Sequence, residues 1–492
     1  MLKRTGFAAT ALMAAVTTLG ACAAGPNYTP PSPAALNVPP AWSVTGAPAA
    51  QIDLSVWWRQ FHDPLLVDLI ARATADNLDI AVAKARLLQA REQLVQTRAS
   101  LYPSLSGSLG DDRTVVRAPS STLSVGPTSI LVSGNSDTTS LSLGLDASWQ
   151  ADLFGGTRRS IEAAKASRDS ALYNLVAVRT SVAGEVATNY IQARLAQARL
   201  AIARDSLKDQ GDNLQITEWR RQAGLASSID VEQARAQRAQ TEATVPLLEN
   251  DFTSAVNQLA LLTGQAPGAM RDVLVTAAPI PRGPNGVAVG IPVDTLRQRP
   301  DVRVAERNLA AATAQIGVAQ AALYPSLSLT GSLTGTAATL GQFGRAGTGE
   351  LFATLSQTIF DAGRLRSQLR SARVGADSAF ATYKKTVLSG LADVENAIQA
   401  LDSAKSRQTS LGEAADASND AAILARSQYR VGLTDFLTLL QSEQSLLQAR
   451  DSLASAQADQ ATALVQLYLA LGGGWQPASP QAIGPETTAG SS

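Results

Sequence analysis

The 492-residue chain has one cysteine, one histidine and three methionines. Cys22 and His62 cannot build a Cys/His metal site, a disulfide framework or an imidazole-centred catalytic group. No convergent acid, base, nucleophile or metal set replaces them, so an enzyme is not expected, and no cofactor or metal is called for. Three methionines also argue against a thioether relay for soft metal ions. Net charge is missing as well: 41 Lys and Arg balance 41 Asp and Glu, which leaves no bulk field to attract nucleic acid. A mean hydropathy of +0.02 excludes a bundle of apolar spanning helices.

The N-terminus carries what charge and apolarity are concentrated anywhere. Lys3 and Arg4 precede an almost uncharged run from Gly6 to Leu19, ending in Leu19-Gly20-Ala21-Cys22. This pattern predicts a signal peptide over residues 1–21. The small residues before Cys22 resemble a bacterial lipobox, which implies cleavage after Ala21 and a covalent lipid on Cys22. The alternative is an ordinary signal peptide followed by a spare thiol. Ala23 is not the Asp that resembles an inner-membrane retention signal, which favours the outer membrane.

Length alone suggests about three domains, but an internal repeat overturns that count. Leu101-Tyr102-Pro103-Ser104-Leu105-Ser106 recurs as Leu323-Tyr324-Pro325-Ser326-Leu327-Ser328, an offset of 222. Further on the offset falls to about 208, with Gly224 meeting Gly432 and Gly264 meeting Gly472. The difference places an insertion in the first copy, at the Ser/Thr/Gly-rich stretch 120–140, read as a longer surface loop.

Heptads declare the helices. Ile80, Leu87, Leu94 and Leu101 recur every seven residues, and Val302, Leu309, Ile316 and Leu323 repeat the pattern. Leu439, Leu446, Leu453 and Leu467 continue it near the end. Pro246 predicts a local kink or register shift in the first copy only. Residues 156–222 form a proline-free run of 67, about 100 Å as helix at roughly 1.5 Å per residue. Strands are read from alternation: Leu141, Leu143, Leu145, Ala147 and Trp149 alternate with Ser142, Gly144, Asp146 and Ser148, and Leu327, Leu329 and Leu333 with Ser328, Thr330 and Ser332. A sandwich would put water on the polar face and a core on the other. A single hairpin per copy suits lipid outside and water inside, and four strands are too few to close a barrel. Oligomerisation is therefore expected.

The predicted layout is a signal peptide (1–21), a lipid-anchored extended segment (22–62), a first repeat (63–264), a Pro-rich linker or equatorial segment (265–298), a second repeat (299–472) and a C-terminal tail (473–492). Within the first repeat, helices are predicted over 63–101, 156–222 and 227–263, and strands over 103–113 and 139–149. In the second, helices are predicted over 299–323, 363–430 and 434–471, and strands over 325–335 and 351–360.

With these residues in view, the chain resembles the outer-membrane factor (TolC-like) family, and within it the NodT-type efflux lipoproteins. The resemblance covers nearly the whole mature chain. It is carried by Trp57-Trp58-Arg59-Gln60-Phe61-His62-Asp63-Pro64-Leu65, the paired Leu-Tyr-Pro-Ser-Leu motifs, Gly290-Ile291-Pro292, Arg299-Pro300-Asp301-Val302-Arg303 and Phe360-Asp361-Ala362-Gly363-Arg364. It implies an α+β membrane protein: a duplicated unit of long coiled-coil helices plus one β-hairpin. Three copies would form a 12-stranded outer-membrane β-barrel continuous with a periplasmic α-helical barrel. The implied role is a passive small-molecule exit duct of a Gram-negative cell. Its implied partners are a periplasmic adaptor (membrane fusion) protein, an inner-membrane RND-type pump and outer-membrane lipid. A duct for type I protein secretion and a non-pore periplasmic coiled-coil scaffold are the competing readings.

The resemblance also places the periplasmic tips at the two helix-to-helix turns. Gly224, Leu225, Val431, Gly432, Leu433 and Thr434 are the implied adaptor-docking residues, although Gly-Leu could simply end one helix and start the next. Asp230 and Asp435 sit where a carboxylate caps a helix. The sharper reading makes them a gate with Arg221, Tyr429 or Arg430. Trp57, Trp58 and Phe61 read as packing residues, and His62 as a helix-entry contact.

Overall fold

The structure is a computed structural model that describes residues 23–43, 53–117, 121–126, 128–132, 136–284, 292–339, 341 and 347–475. The expected signal peptide, Cys22, and the tail from residue 476 lie outside the described residues. No described helix is both long and apolar enough to cross a membrane.

The elements in order are a 3-10 helix α1 (Leu54–Phe61), helices α2 (Pro64–Asp76) and α3 (Leu78–Ala99), strands β1 (Ser104–Val116), β2 (Ser121–Val125), β3 (Thr128–Val132) and β4 (Ser136–Ala151), and helices α4 (Gly156–Gln222), α5 (Ser228–Leu262), α6 (Arg271–Leu274), α7 (Pro292–Gln298) and α8 (Pro300–Ala321). Strands β5 (Ser326–Ala337) and β6 (Gly347–Ser356) follow, then helices α9 (Arg364–Val431) and α10 (Phe436–Ala470).

Several expected boundaries change for physical reasons. The helix expected over 63–101 is two helices, broken at Asn77, whose backbone is extended. Its carboxamide oxygen accepts from the amides of Asp79 (2.9 Å) and Ile80 (3.1 Å), capping α3, while its nitrogen donates to the Leu262 carbonyl. The second copy breaks at the equivalent place, 222 residues on, where Pro300 disfavours helix at Arg299. The linker expected over 265–298 therefore contains two helices, and α7 is the counterpart of α2. The N-terminal segment expected to be extended to residue 62 likewise contains α1. The insertion expected as a loop holds the antiparallel pair β2–β3. Helix α5 runs through Pro246 as one element.

The compact units are not the sequence repeats, because each draws residues from both copies. One comprises 1–29, 88–169 and 307–381, and the other 30–87, 170–306 and 382–492. The first contains the four-stranded antiparallel sheet, in the order β1-β4-β5-β6. Its register places Leu105 beside Ala147, Leu145 beside Leu333, Trp149 beside Leu329 and Leu327 beside Leu355. One face is thus apolar where the sheet is four strands wide, with Asp111, Arg113 and Asp137 beyond it at the far end of β1 and β4. The other carries Ser106, Asp146, Ser332 and Glu350 in a row. Both copies use the same junction: the Trp149 indole donates to the Leu101 carbonyl (2.9 Å), and the Gln357 amide to the Leu323 carbonyl (3.0 Å), where α3 and α8 stop before Pro103 and Pro325.

The second unit is held by a core of small and aliphatic side chains around one aromatic group. Trp57, fully buried, stacks on Tyr468 at 5.4 Å, with Phe61 and Trp58 edge-on. The seam residues Ile80, Ala83 and Leu87 are buried, as are Leu439, Leu446 and Leu467. Polar ties join segments far apart in the chain. The Tyr190 hydroxyl donates to Asp63 (2.6 Å), which also caps α2, and Arg299 bridges Asp301, Asp393 and the Ala470 carbonyl.

Candidate functional site

The two helix-to-helix turns end in glycines whose positive φ angles, +74° at Gly224 and +80° at Gly432, close each long helix with a left-handed residue. The Leu225 amide donates back to the Arg220 carbonyl (2.7 Å), and the Leu433 amide to the Gln428 carbonyl (2.9 Å). These bonds satisfy carbonyls that a helix end would otherwise leave unpaired. No backbone or side chain lies within 4 Å of where a Gly224 Cβ would stand. The glycines are therefore set by φ, not by crowding.

Past each turn the next helix starts with a built cap. Ser227 and Asp230 form a reciprocal capping box, with the Ser227 amide donating to Asp230 (2.9 Å) and the Asp230 amide to the Ser227 hydroxyl (3.2 Å). Asp435 accepts from the Thr438 amide at 2.8 Å. Hydrogen bonding from Thr438, side chain and then backbone, holds the Asp435 carboxyl below its ordinary range.

The turns leave apolar side chains in the open. Leu225 is 69% exposed, Val431 69% and Leu433 78%, with Trp219, Ile229 and Leu437 exposed nearby. Beneath them Val231, Ala234, Tyr429, Phe436 and Leu439 form a small buried cluster. Thr434 is half-buried and Arg221 and Arg430 are exposed. Within the chain, Asp230 and Asp435 serve their own helix caps. Tyr429 is met by Arg220, whose guanidinium stands 4.6 Å over the ring and donates to the Tyr429 carbonyl at 2.5 Å. Sequence reading selected Arg221 and missed this neighbour, because only the helical phase distinguishes the two.

A second group was also missed. Arg426 of α9 donates to Asp209 of α4 (2.7 Å) and to Glu443 of α10 (3.2 Å), and Glu443 also accepts from Asn213 of α4. Burial pushes the Glu443 carboxyl above its ordinary value, against the opposing pull of Asn213 and Arg426. The signal was present in the sequence. Glu443 falls on the buried stripe between Leu439 and Leu446, a position where a charge needs a partner.

In the sheet unit, the apolar face is open: Leu105, Leu109 and Leu351 are each more than 70% exposed. Among the described residues, neither β1 nor β6 has a partner strand on its outer edge. An exposed apolar face on an unclosed sheet belongs in lipid, not water. No group of three or more metal-ligating side chains occurs among the described residues.

Long helices with open apolar turns, together with a two-faced antiparallel sheet, are the features of an outer-membrane channel protein. The profile of the outer membrane efflux protein family matches residues 69–265 and 291–473, and the chain belongs to that family. It is 31% identical to nodulation protein T of Rhizobium leguminosarum bv. trifolii over 462 residues, 93% of this chain and 96% of that protein. It is 31% identical over 468 residues to the pyoverdine export outer membrane protein OpmQ of Pseudomonas aeruginosa, covering 94% and 96%. Among solved structures, the outer-membrane channel OprN superposes with a TM-score of 0.83 at 35% identity, over 93% of this chain and all of that one. The protein is a TolC-like outer-membrane efflux channel protein of a Gram-negative bacterium.

Proposed function

We propose that three copies of this chain form a passive outer-membrane exit duct with no chemistry of its own. The observation that carries this reading is the sheet: four strands, one apolar face, one polar face and two unpaired edges. Edge pairing between copies closes the sheet, puts Leu105, Leu145 and Leu351 against lipid and lines a wet lumen with Ser106, Asp146 and Glu350. A diacylglyceryl lipid on Cys22 adds an anchor.

In the helical unit, Leu225, Val431, Gly432 and Leu433 dock a periplasmic adaptor, which couples the duct to an energised inner-membrane pump. Names such as OpmQ, pyoverdine export, and TtgC, toluene efflux, support small-molecule cargo. Asp230 and Asp435 of each copy narrow the tip in the resting state, with Arg221 and Arg430 as cross-copy partners; Tyr429, expected as a third, is buried in its own chain with its hydroxyl against Thr217 and does not serve. The test is a double substitution, Leu225→Asp with Leu433→Asp. Both side chains are exposed, so the channel still assembles in the outer membrane while adaptor binding and drug export are lost. Unimpaired export by this variant contradicts the docking assignment.

A further inference from the structure

The segment that follows Cys22 is seated in a built cradle. The Ala24 amide donates to the Phe154 carbonyl (2.9 Å) in the turn between β4 and α4. Arg159, on the first turn of α4 and with only 6% of its side chain exposed, reaches the same segment. Its Nε donates to the Ala24 carbonyl (3.0 Å), and its Nη2 to the Gly25 carbonyl (3.2 Å) and the Asn27 side-chain oxygen (2.7 Å). Nη1 pairs with Glu162 at 2.7 Å. A planar guanidinium can address these separate acceptors at once, which a lysine cannot.

Glycines supply the room. A Cβ on Gly155 would stand 2.8 Å from the Ala23 Cα, and one on Gly317 of α8 would stand 2.8 Å from the Ala24 carbonyl oxygen. Gly25 adopts φ +89°, and a Cβ there would fall 2.4 Å from the Gly317 Cα. The cradle thus draws on α4 from the first repeat and α8 from the second, beside the stacked pair Phe154 and Tyr324 at 4.8 Å.

We infer that Arg159, Gly155 and Gly317 form a clamp that fixes the mature N-terminus, making Arg159 a positioning residue for the lipid anchor. The anchor part rests on the acylation of Cys22 proposed above. Cys22 is two residues before Ala24, a reach of about 7 Å in extended chain. The lipid is then tied within that distance of the Ala24 seat, without a flexible linker. Its acyl chains and the sheet enter the membrane from one fixed place, and the seated segment staples the two repeats together where the strands begin.

The test uses the full-length channel with Pro26→Cys carrying a nitroxide spin label. Pro26 is exposed and contributes no cradle hydrogen bond, and an acylated Cys22 carries no free thiol. The clamp predicts an immobilised spectrum in an otherwise native background. It predicts loss of that component in Arg159→Ala, little rescue by Arg159→Lys, and loss again in Gly317→Val. A mobile label in the native background overturns the inference, as does an immobilised label that neither substitution releases. If both variants fail to assemble, the native-background spectrum alone decides. The mass of the N-terminal peptide reports acylation separately. Free Cys22, with Cys22→Ser then added before labelling, and a still immobilised label would overturn the anchor but keep the clamp. Acylated Cys22 with a mobile label would overturn the clamp alone.

Discussion

Substituting Arg426 by alanine removes a cation that joins α4, α9 and α10. The cost follows from what is left behind. Glu443 has only 9% of its side chain exposed and would keep the Asn213 amide but lose its counter-charge. Asp209 is 39% exposed and can be rehydrated, so its lost pair contributes little. Orphaning a buried carboxylate costs about 3–5 kcal/mol, and the 25% exposure of Arg426 places this case near about 3 kcal/mol. Read as local opening, that corresponds to roughly 100-fold faster hydrogen exchange at α10 amides around Glu443. Glu443→Gln should be far milder, because a neutral amide is not penalised by burial as a carboxylate is.

Acid should partly restore Arg426→Ala. Burial raises the folded-state pKa of Glu443, so protonation favours the fold. That contribution is fully present below the unfolded pKa, near 4.5, and is lost as pH rises through the folded value. Exchange in Arg426→Ala changed by less than about threefold, or Glu443→Gln more damaging than Arg426→Ala, would refute the reasoning.

Three other outcomes follow from the same geometry. Asp435→Ala should destabilise the start of α10, with Asp435→Asn nearly neutral, measured as faster amide exchange in that turn. Because the Asp435 pKa is lowered from 3.8, the charge-dependent part of its contribution is present above that value and lost as pH falls through the folded one, so the difference from Asp435→Ala should shrink, without vanishing, in strong acid. Gly432→Ala should cost about 1 kcal/mol through its left-handed φ alone, with Asn tolerated better than Ala in thermal melts. Leu145→Arg, on the apolar face, should cost about 2–4 kcal/mol in lipid and deplete the protein from the outer membrane, while Ser332→Lys on the other face should leave its level unchanged. Equal depletion by both would argue against a lipid-facing apolar side.

Much of this was legible because it repeats. The Leu-Tyr-Pro-Ser-Leu pair fixed the duplication, and heptads at Ile80 to Leu94 and Leu439 to Leu467 identified seams that are indeed largely buried. Alternation at Leu141 to Trp149 separated the faces of β4. What escaped was local chemistry without periodicity. Asn77 ends one helix and begins another by capping, a role its letter shares with many loop asparagines. The β2–β3 pair hid in Ser/Thr/Gly composition that reads as loop. Arg220 and Arg221 are adjacent, and only the rotation of α4 brings the former to Tyr429. Arg159 gave no signal at all, since the acceptors that seat the N-terminal segment on it, two of them backbone carbonyls, lie more than a hundred residues away.

In the proposed duct an incomplete sheet becomes a shared pore. Single-channel recording of the purified, full-length protein in planar bilayers tests this most directly, with the assembly mass measured on the same sample. The expected result is stable ohmic conductance from a particle of three chains, abolished by Leu145→Arg. A stable single-chain species in detergent-free buffer that inserts nothing and conducts nothing would contradict it.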